Sequence, residues 1–434
     1  MVPSIKFSRN KELTMNENFA GIGAFKKGFE RAGFKVKVVA ISEIDKYCIA
    51  SYKEMHGEVS NLGAIGSFER LPAGVDVCTW SFPCQDISNA GQGKGMEEGT
   101  KSNYGFVFLE TLRNTPIEER PKVLIMENVA LLFSKKFHRY WVRILAILSE
   151  CGYQNYPGKM NAKDYGVAQN RDRIFIVSTL GHYSYEFPKP FKLEKKLKEY
   201  LEPNVDEKFY LSAKMLKYVL GDSNGWIRQF RPLEKDSESS YTITTREGNV
   251  AESTYIQEPL FAYGPQKREF DGFKPIAHTL RATDYKTPNI VLIPKKTKKK
   301  YAEATDGDGI YINRPHQKRG TVQKSKIHTI KTSPDDIGVV ETFNEEMEEL
   351  KLIYDLGMFG VYEDNDGRAF LMNRNGQLAR IRKVTPRESW RLMDFTDEDF
   401  DKAQRLNSNT QLYKQAGNSI VVGVVEEIAK MMME

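Results

Sequence analysis

The chain of 434 residues holds four cysteines, and one of them stands where a nucleophile would. Cys48, Cys78 and Cys151 lie in apolar or helix-like stretches, the usual setting of a small buried side chain. Cys84 instead follows Pro83 at the end of the apolar run VDVCTWSF and precedes the polar residues Gln85, Asp86 and Ser88. Proline stiffens that approach, so the thiol is expected on a loop at a strand end. A second run, VLIM, leads into Glu127-Asn128-Val129 and offers a carboxyl group at the matching position. A thiol beside a carboxyl acid suits covalent catalysis, with one group adding to an electrophilic carbon and the other handling a proton. A third run, RIFIVSTL, is preceded by Gln169-Asn170-Arg171-Asp172-Arg173, whose two guanidinium groups share a face if the chain there is extended.

A second group of residues suits ligand binding. Asn18-Phe19-Ala20-Gly21-Ile22-Gly23-Ala24-Phe25 runs into the helix-like KKGFERAGF. Paired glycines let the backbone approach a ligand closely, and a helix amino terminus favours a carboxylate or phosphate. Further on, VKVVAIS ends next to Glu43, where an acidic residue at a second strand's end binds ribose hydroxyls. The two features point to an adenosine-containing cofactor. A tight turn and a surface glutamate fit the same residues.

These groups require strands with loops at one edge. VKVVAIS, VDVCTWSF, VLIMENV and RIFIVSTL are strand candidates between about residues 14 and 180, and segments such as RYWVRILAILSECGY carry helical periodicity between them. That alternation predicts an α/β fold with a doubly wound, mostly parallel sheet, which binds ligands at the carboxyl ends of its strands. The first strand candidate, ELTMNEN, is unusually polar. Beyond about residue 187 the rhythm stops, and a second, irregular β-rich domain is expected. The reading is residues 1–187, completed by 413–434, for the first domain and 188–412 for the second. Within the second, YTITTREGNV at Tyr241, HTLRATDYKTPNIV at His278 and HTIKTSPDDIGVV at His328 resemble three β-turn-β units, although Thr-rich hairpins also recur by chance. The chain's end, YKQAGNSIVVGVVEEIAKMMME, reads as one amphipathic helix after a Gly-Asn-Ser turn.

Composition narrows the classes. No apolar run approaches the roughly 18–20 residues of a membrane span, and the first residues lack the apolar core of a secretory signal. A soluble, intracellular protein is expected. The cysteines show neither CxxC nor Cys/His spacing, the six histidines are scattered, and the acidic clusters TDGDG at Thr305 and EDNDG at Glu363 lack the twelfth-position carboxylate of an EF-hand. No metal is expected. The net charge of +6 is compatible with a polyanionic partner, and the cluster KKTKKK at Lys295 to Lys300 suits phosphate contact or a solvated linker rather than base reading.

In order along the chain, FAGIG, PCQ, ENV, QxRxR, RKVTPRE at Arg382 and QAGNS at Gln415 together resemble the cytosine-C5 DNA methyltransferase family. The likeness covers most of residues 14–180 and 378–434. The stretch of about 190–375 resembles the family only in its position, as the variable target-recognition domain, and in its Thr-Leu and Thr-Ile pairs. The resemblance implies methyl transfer from S-adenosylmethionine to C5 of a cytosine flipped out of duplex DNA. Cys84 would add to C6, Glu127 would hold or protonate N3, Arg173 would contact O2, and Arg171 would support the same loop. Phe19, Ala20, Gly21, Ile22, Gly23, Ile44, Ile65 and Pro83 would line the cofactor site. Glu43 would hold the ribose, and Asn418 and Ser419 would close the site from the carboxyl terminus. Gln85, Ser88, Thr279, Arg281, Thr329 and Lys331 are the expected DNA contacts. The family usually has an aspartate at the position of Ala64 and often an aromatic at that of Ile44, so adenine recognition is expected to be built differently here. The resemblance further implies a monomer in the cytoplasm of a prokaryote, or one encoded by a phage, protecting DNA from a restriction endonuclease that acts separately. An RNA cytosine-C5 methyltransferase of the same fold is the alternative, because the core does not reveal whether the substrate has 2′-hydroxyls. A non-catalytic DNA-binding relative would predict damage at Cys84 or Glu127, and both are intact.

Overall fold

The computed structural model describes residues 2–87, 94–220, 232–234, 237–245, 247, 254–259, 291–294, 301–304, 309–311, 322–323, 337–339, 350–356, 359–373 and 378–434. Two compact units emerge: Met1–Asn204 with Lys235–Thr254 and Val384–Glu434, and Val205–Glu234 with Tyr255–Lys383. Segments 188–204, 235–254 and 384–412, read from sequence with the second domain, therefore lie in the first unit. Their attachment is physical. The Gln169 side-chain amide donates to Leu392 O at 2.6 Å and its carbonyl accepts from Ile243 N at 3.2 Å.

The first unit is built on strands β1 (Leu13–Asn18), β2 (Val36–Ser42), β3 (Val77–Trp80), β4 (Val123–Val129), β5 (Tyr153–Asn161) and β6 (Asp172–Leu180). They lie in the order β2-β1-β3-β4-β6-β5. The β2-β1-β3-β4 pairings are parallel, whereas β6 runs antiparallel to both β4 and β5. Helices α1 (Ala24–Arg31), α2 (Lys46–His56), α3 (Tyr104–Asn114) and α4 (His138–Glu150) provide the connections. Helix α4 buries Tyr140, Trp141, Ile144, Ile147 and Leu148, one face of a 3.6-residue period. These side chains join Cys78, Trp80 and Phe108 in the core. The polar β1 is central and buried because its side chains find partners: Asn16 donates to Ala40 O at 2.9 Å, and Asn18 donates to Asn16 Oδ1 at 2.8 Å. Strand β5 escapes sequence reading because YQNYPGKMN carries a proline and little apolar alternation. Both are tolerated at the sheet's edge, where β5 lies.

In the second unit, α5 (Ala213–Leu220) accompanies a six-stranded sheet. The sheet runs from Lys351–Asp355 through Phe359–Glu363, Ala369–Asn373, Leu378–Lys383 and Tyr255–Pro259 to Leu233–Glu234. All its pairings are antiparallel except the last. EDNDG forms a turn closed by Asp364, which accepts from Arg368 N at 2.8 Å. The tetrapeptide 305–308, within TDGDG, lies outside the described residues.

The chain ends with α6 (Pro386–Leu392), α7 (Asp397–Gln404), α8 (Asn409–Asn418) and α9 (Val422–Lys430). The single terminal helix expected after a Gly-Asn-Ser turn is α9, the second of two helices that meet there. Gly417 and Asn418 close the first, and Ser419 to Val421 form the break. A Cβ on Gly417 would stand 2.2 Å from Thr245 N, so this glycine admits a neighbouring backbone. Helix α9 packs on α1, where a Cβ on Gly28 would meet Val425 at 2.5 Å, and this contact returns the carboxyl terminus to the sheet. Among the described residues no helix is long and apolar enough to cross a membrane, and no three His, Cys, Asp or Glu side chains gather as metal ligands.

Candidate active site

Beyond Trp80 the chain leaves the β-ladder, so the backbone groups before Cys84 need other partners. Asn128, at the end of β4, donates to Phe82 O at 3.0 Å, and Ile87 N donates to Cys84 O at 3.0 Å. The resulting turn leaves Cys84 half-buried on the wall of a cleft of about 1400 Å3.

Glu127 projects from β4, and Arg173 from β6 reaches it with Nε to Oε1 at 2.8 Å. The antiparallel register sets Arg173 opposite Val129 and Phe175 opposite Glu127, which makes this a diagonal cross-strand pair. Burial pushes the Glu127 carboxyl above its ordinary range, against the pull of Arg173 and Arg171. Burial likewise pushes the Cys84 thiol up, Arg173 draws it down, and Glu127 adds to the rise. Arg171 has different partners from Arg173. Its Nη1 donates to Ile243 O at 2.8 Å, and its Nη2 donates to Gly417 O at 3.1 Å and Ser419 O at 2.8 Å. Burial, with Arg173 nearby, lowers its pKa to about 9. Arg171 clasps two distant segments beside the cleft, while Arg173 serves the carboxylate.

The cleft is also lined by Gln85, Lys159, Thr242 to Thr245, Gly417 and Asn418. Lys159 and the threonines were missed as site residues by sequence reading. The first of the three Thr-rich units had been placed with the second domain, and only Gly417, with its need for close approach, hints at a chain crossing there. Thr242 Oγ1 donates to Asn170 O at 2.6 Å, which draws that segment onto the QxRxR loop. Ser88, Thr279, Arg281, Thr329, Lys331 and the lysines from Lys295 to Lys300 lie outside the described residues.

At the other end of the sheet, the turn after β1 holds Phe19, Gly21 and Gly23 at φ of 55°, 55° and 79°. A phenylalanine there carries strain of order 1–3 kcal/mol, a feature that collects at functional turns. A Cβ on Gly23 would lie 2.4 Å from His56 Nε2, whereas one on Gly21 would meet nothing within 4 Å. Gly21 N donates to Glu43 Oε2, and Ile44 N and Asp45 N donate to Oε1, each at 2.8 Å. Beside them Ile44 is 74% exposed. Ala20 and Pro83 are half-buried. Ile22 is buried and its carbonyl meets His56 Nε2 at 3.1 Å. Ile65 belongs to the hydrophobic core. Asn418 is exposed on the cleft, and Ser419 is buried with its carbonyl held by Arg171.

The profile of C-5 cytosine-specific DNA methylases matches residues 13–434. The orphan methyltransferase M.Rho11sI of Bacillus phage rho11s is 27% identical over 96% of this chain and 97% of its own. The type II methyltransferase M2.ScrFI of Lactococcus lactis subsp. cremoris is 28% identical over 85% of this chain and 70% of its own. Among solved structures, the Entamoeba histolytica methyltransferase EhMeth has a TM-score of 0.58 over 97% of this chain and 98% of that one. Its identity is 16%, and the likeness is one of fold.

Proposed function

Because the chain belongs to the C-5 cytosine-specific DNA methylase family, we propose that it methylates C5 of a cytosine flipped out of a specific duplex DNA sequence, through a covalent bond between Cys84 and C6. The observation that carries this reading is a thiol on the wall of a cleft beside a buried carboxyl–guanidinium pair.

Cytosine C5 is a weak nucleophile. The Cys84 thiolate, which burial disfavours and Arg173 and Arg171 draw out, adds to C6 while Glu127 donates a proton to N3, so the ring becomes an enamine with electron density at C5. A carboxyl raised by burial suits that donation, because burial favours its protonated form. Arg173, already paired with Glu127, would contact O2. Once C5 carries the methyl group, loss of its proton to a water base, expulsion of Cys84 as thiolate and return of the N3 proton to Glu127 restore the ring. The base must leave the helix for any of this to occur.

S-adenosylmethionine, which the family generally uses, supplies an electrophilic methyl group when bound. The residues present fit it. The open space over Gly21 admits a ligand against the backbone. A carboxylate has about four lone-pair positions, and the N–H groups on Glu43 leave one for a ribose hydroxyl. Phe19, Gly23 and the exposed Ile44 would line the site, with Asn418 and Ser419 closing it. Residues of about 190–375 would read the target sequence. Relatives from a phage and from Lactococcus lactis carry methyltransferase names, which favours a modification enzyme.

The test is a duplex in which every cytosine is 5-fluorocytosine, offered with S-adenosylmethionine. The parent protein should form an adduct that survives denaturation, and Cys84→Ala should bind the duplex without forming one. Turnover by Cys84→Ala, or adducts on transfer RNA but not on duplex DNA, would overturn the reading.

A further inference from the structure

Ser102 is fully buried at the head of the helical stretch made by the tight turn Lys101–Asn103 and α3. Its hydroxyl donates to Pro83 O at 2.7 Å and accepts from Asp86 N at 3.4 Å. In return its backbone N–H donates to Asp86 Oδ2 at 3.1 Å. The carboxylate thus satisfies one of the orphan donors at a helix start, and the hydroxyl satisfies the carbonyl of the residue immediately before Cys84. Three bonds bracket the thiol, on the residue before it and two residues after it. The same helix presses on the chain one residue earlier, since a Cβ on Gly105 would stand 2.9 Å from the Phe82 ring. Asp86 N and Pro83 O have no ladder partner, because this segment lies outside β3. Their direction is therefore set by Ser102.

We propose that Ser102 and Asp86 form a latch that aims the Cys84 thiol at the base, both being positioning residues for the addition step. The inference rests on Cys84 being the nucleophile. Attack on C6 is sensitive to direction, and a displacement of about 1 Å costs roughly 100-fold in rate. Without the latch the turn is still held by Asn128 on Phe82 O and by Ile87 N on Cys84 O, so the protein should fold and bind DNA with a misdirected thiol.

The test compares Ser102→Ala, Asp86→Ala and Asp86→Asn in the full chain, with S-adenosylmethionine and the fully 5-fluorocytosine-substituted duplex. It reads the single-turnover rate of adduct formation, duplex affinity and melting temperature. Ser102→Ala and Asp86→Ala should slow adduct formation by about 10–100-fold, with duplex affinity within about twofold of the parent. Asp86→Asn keeps an acceptor for Ser102 N and should stay within about threefold of the parental rate. Parental rates in both alanine variants would overturn the latch, as would losses of rate, affinity and melting temperature in step. If Ser102→Ala does not fold, the two Asp86 variants decide by the same criteria. A parent protein that methylates DNA without forming the adduct would instead refute Cys84 as nucleophile, a result distinct from failure of the latch.

Discussion

The two ends of the sheet's carboxyl edge are built from different materials. At the β1–β2 end, shape comes from backbone: left-handed turns at Gly21 and Gly23, and three N–H groups gathered on Glu43. At the β4–β6 end it comes from side chains, with Glu127 and Arg173 paired in a buried setting beside Cys84. Two of the buried glutamates sharpen the contrast. Glu127 faces a guanidinium, whereas Glu17 accepts from Lys26 N at 3.0 Å and Tyr52 Oη at 2.5 Å, and burial lifts its pKa to about 7. A cradle of backbone keeps its form when side chains around it change, which agrees with a chain that has Ala64 and Ile44 in place of the family's usual choices. A buried ion pair does not, because removing one partner leaves the other's charge unmatched.

Three measurements would break or sharpen this contrast. The largest effect is expected at the side-chain end. Glu127→Gln should lower kcat by about 100- to 10,000-fold while duplex binding persists, since a proton donor is lost and Arg173 keeps no carboxylate. A loss under about tenfold in a methyl-transfer assay would show that the pair is dispensable.

The next effect concerns Glu17 and stability. A carboxyl raised to about 7 binds its proton more tightly in the folded chain than in the unfolded one, so its contribution is intact below about pH 4.5 and is lost as pH rises through 7. His56, lowered by burial to about 4, acts in the opposite direction, gaining stability as pH rises to about 6.5. Glu17→Gln should therefore gain on the parent between about pH 4.5 and 7, by of order 3 kcal/mol at pH 8. Urea unfolding across that range checks it. A constant difference between the two proteins would mean that Glu17 does not titrate there.

The smallest effect is expected at the backbone-built end. Ala64→Asp should tighten S-adenosylmethionine by about 1–2 kcal/mol in calorimetry, the gain of one charged hydrogen bond. Weakened binding would show that another group already fills that place.

Strands β2 and β4 match the runs VKVVAIS and VLIMENV residue for residue, because a continuous apolar stretch between turns has few other ways to be buried. Cys84, Glu127 and Arg173 were likewise visible as groups at strand ends. The direction of β6 was not, since RIFIVSTL suits a parallel or an antiparallel neighbour equally well. Burial of β1 was also hidden, because its polar side chains become acceptable only through partners such as Ala40 and Tyr52 on other elements.

What the sequence alone determined was which reactive groups exist and that they end strands of one sheet, because local apolar patterning and turn residues decide those things. Only the tertiary structure decided the pairing. Arg173 meets Glu127 through the antiparallel register of β4 and β6, and Arg171, two residues earlier, takes carbonyls 72, 246 and 248 residues away. Ser102 reaches back 19 residues to the carbonyl before the thiol. Hydrogen-bond partners at such separations are chosen by packing of whole elements, and no local pattern encodes them.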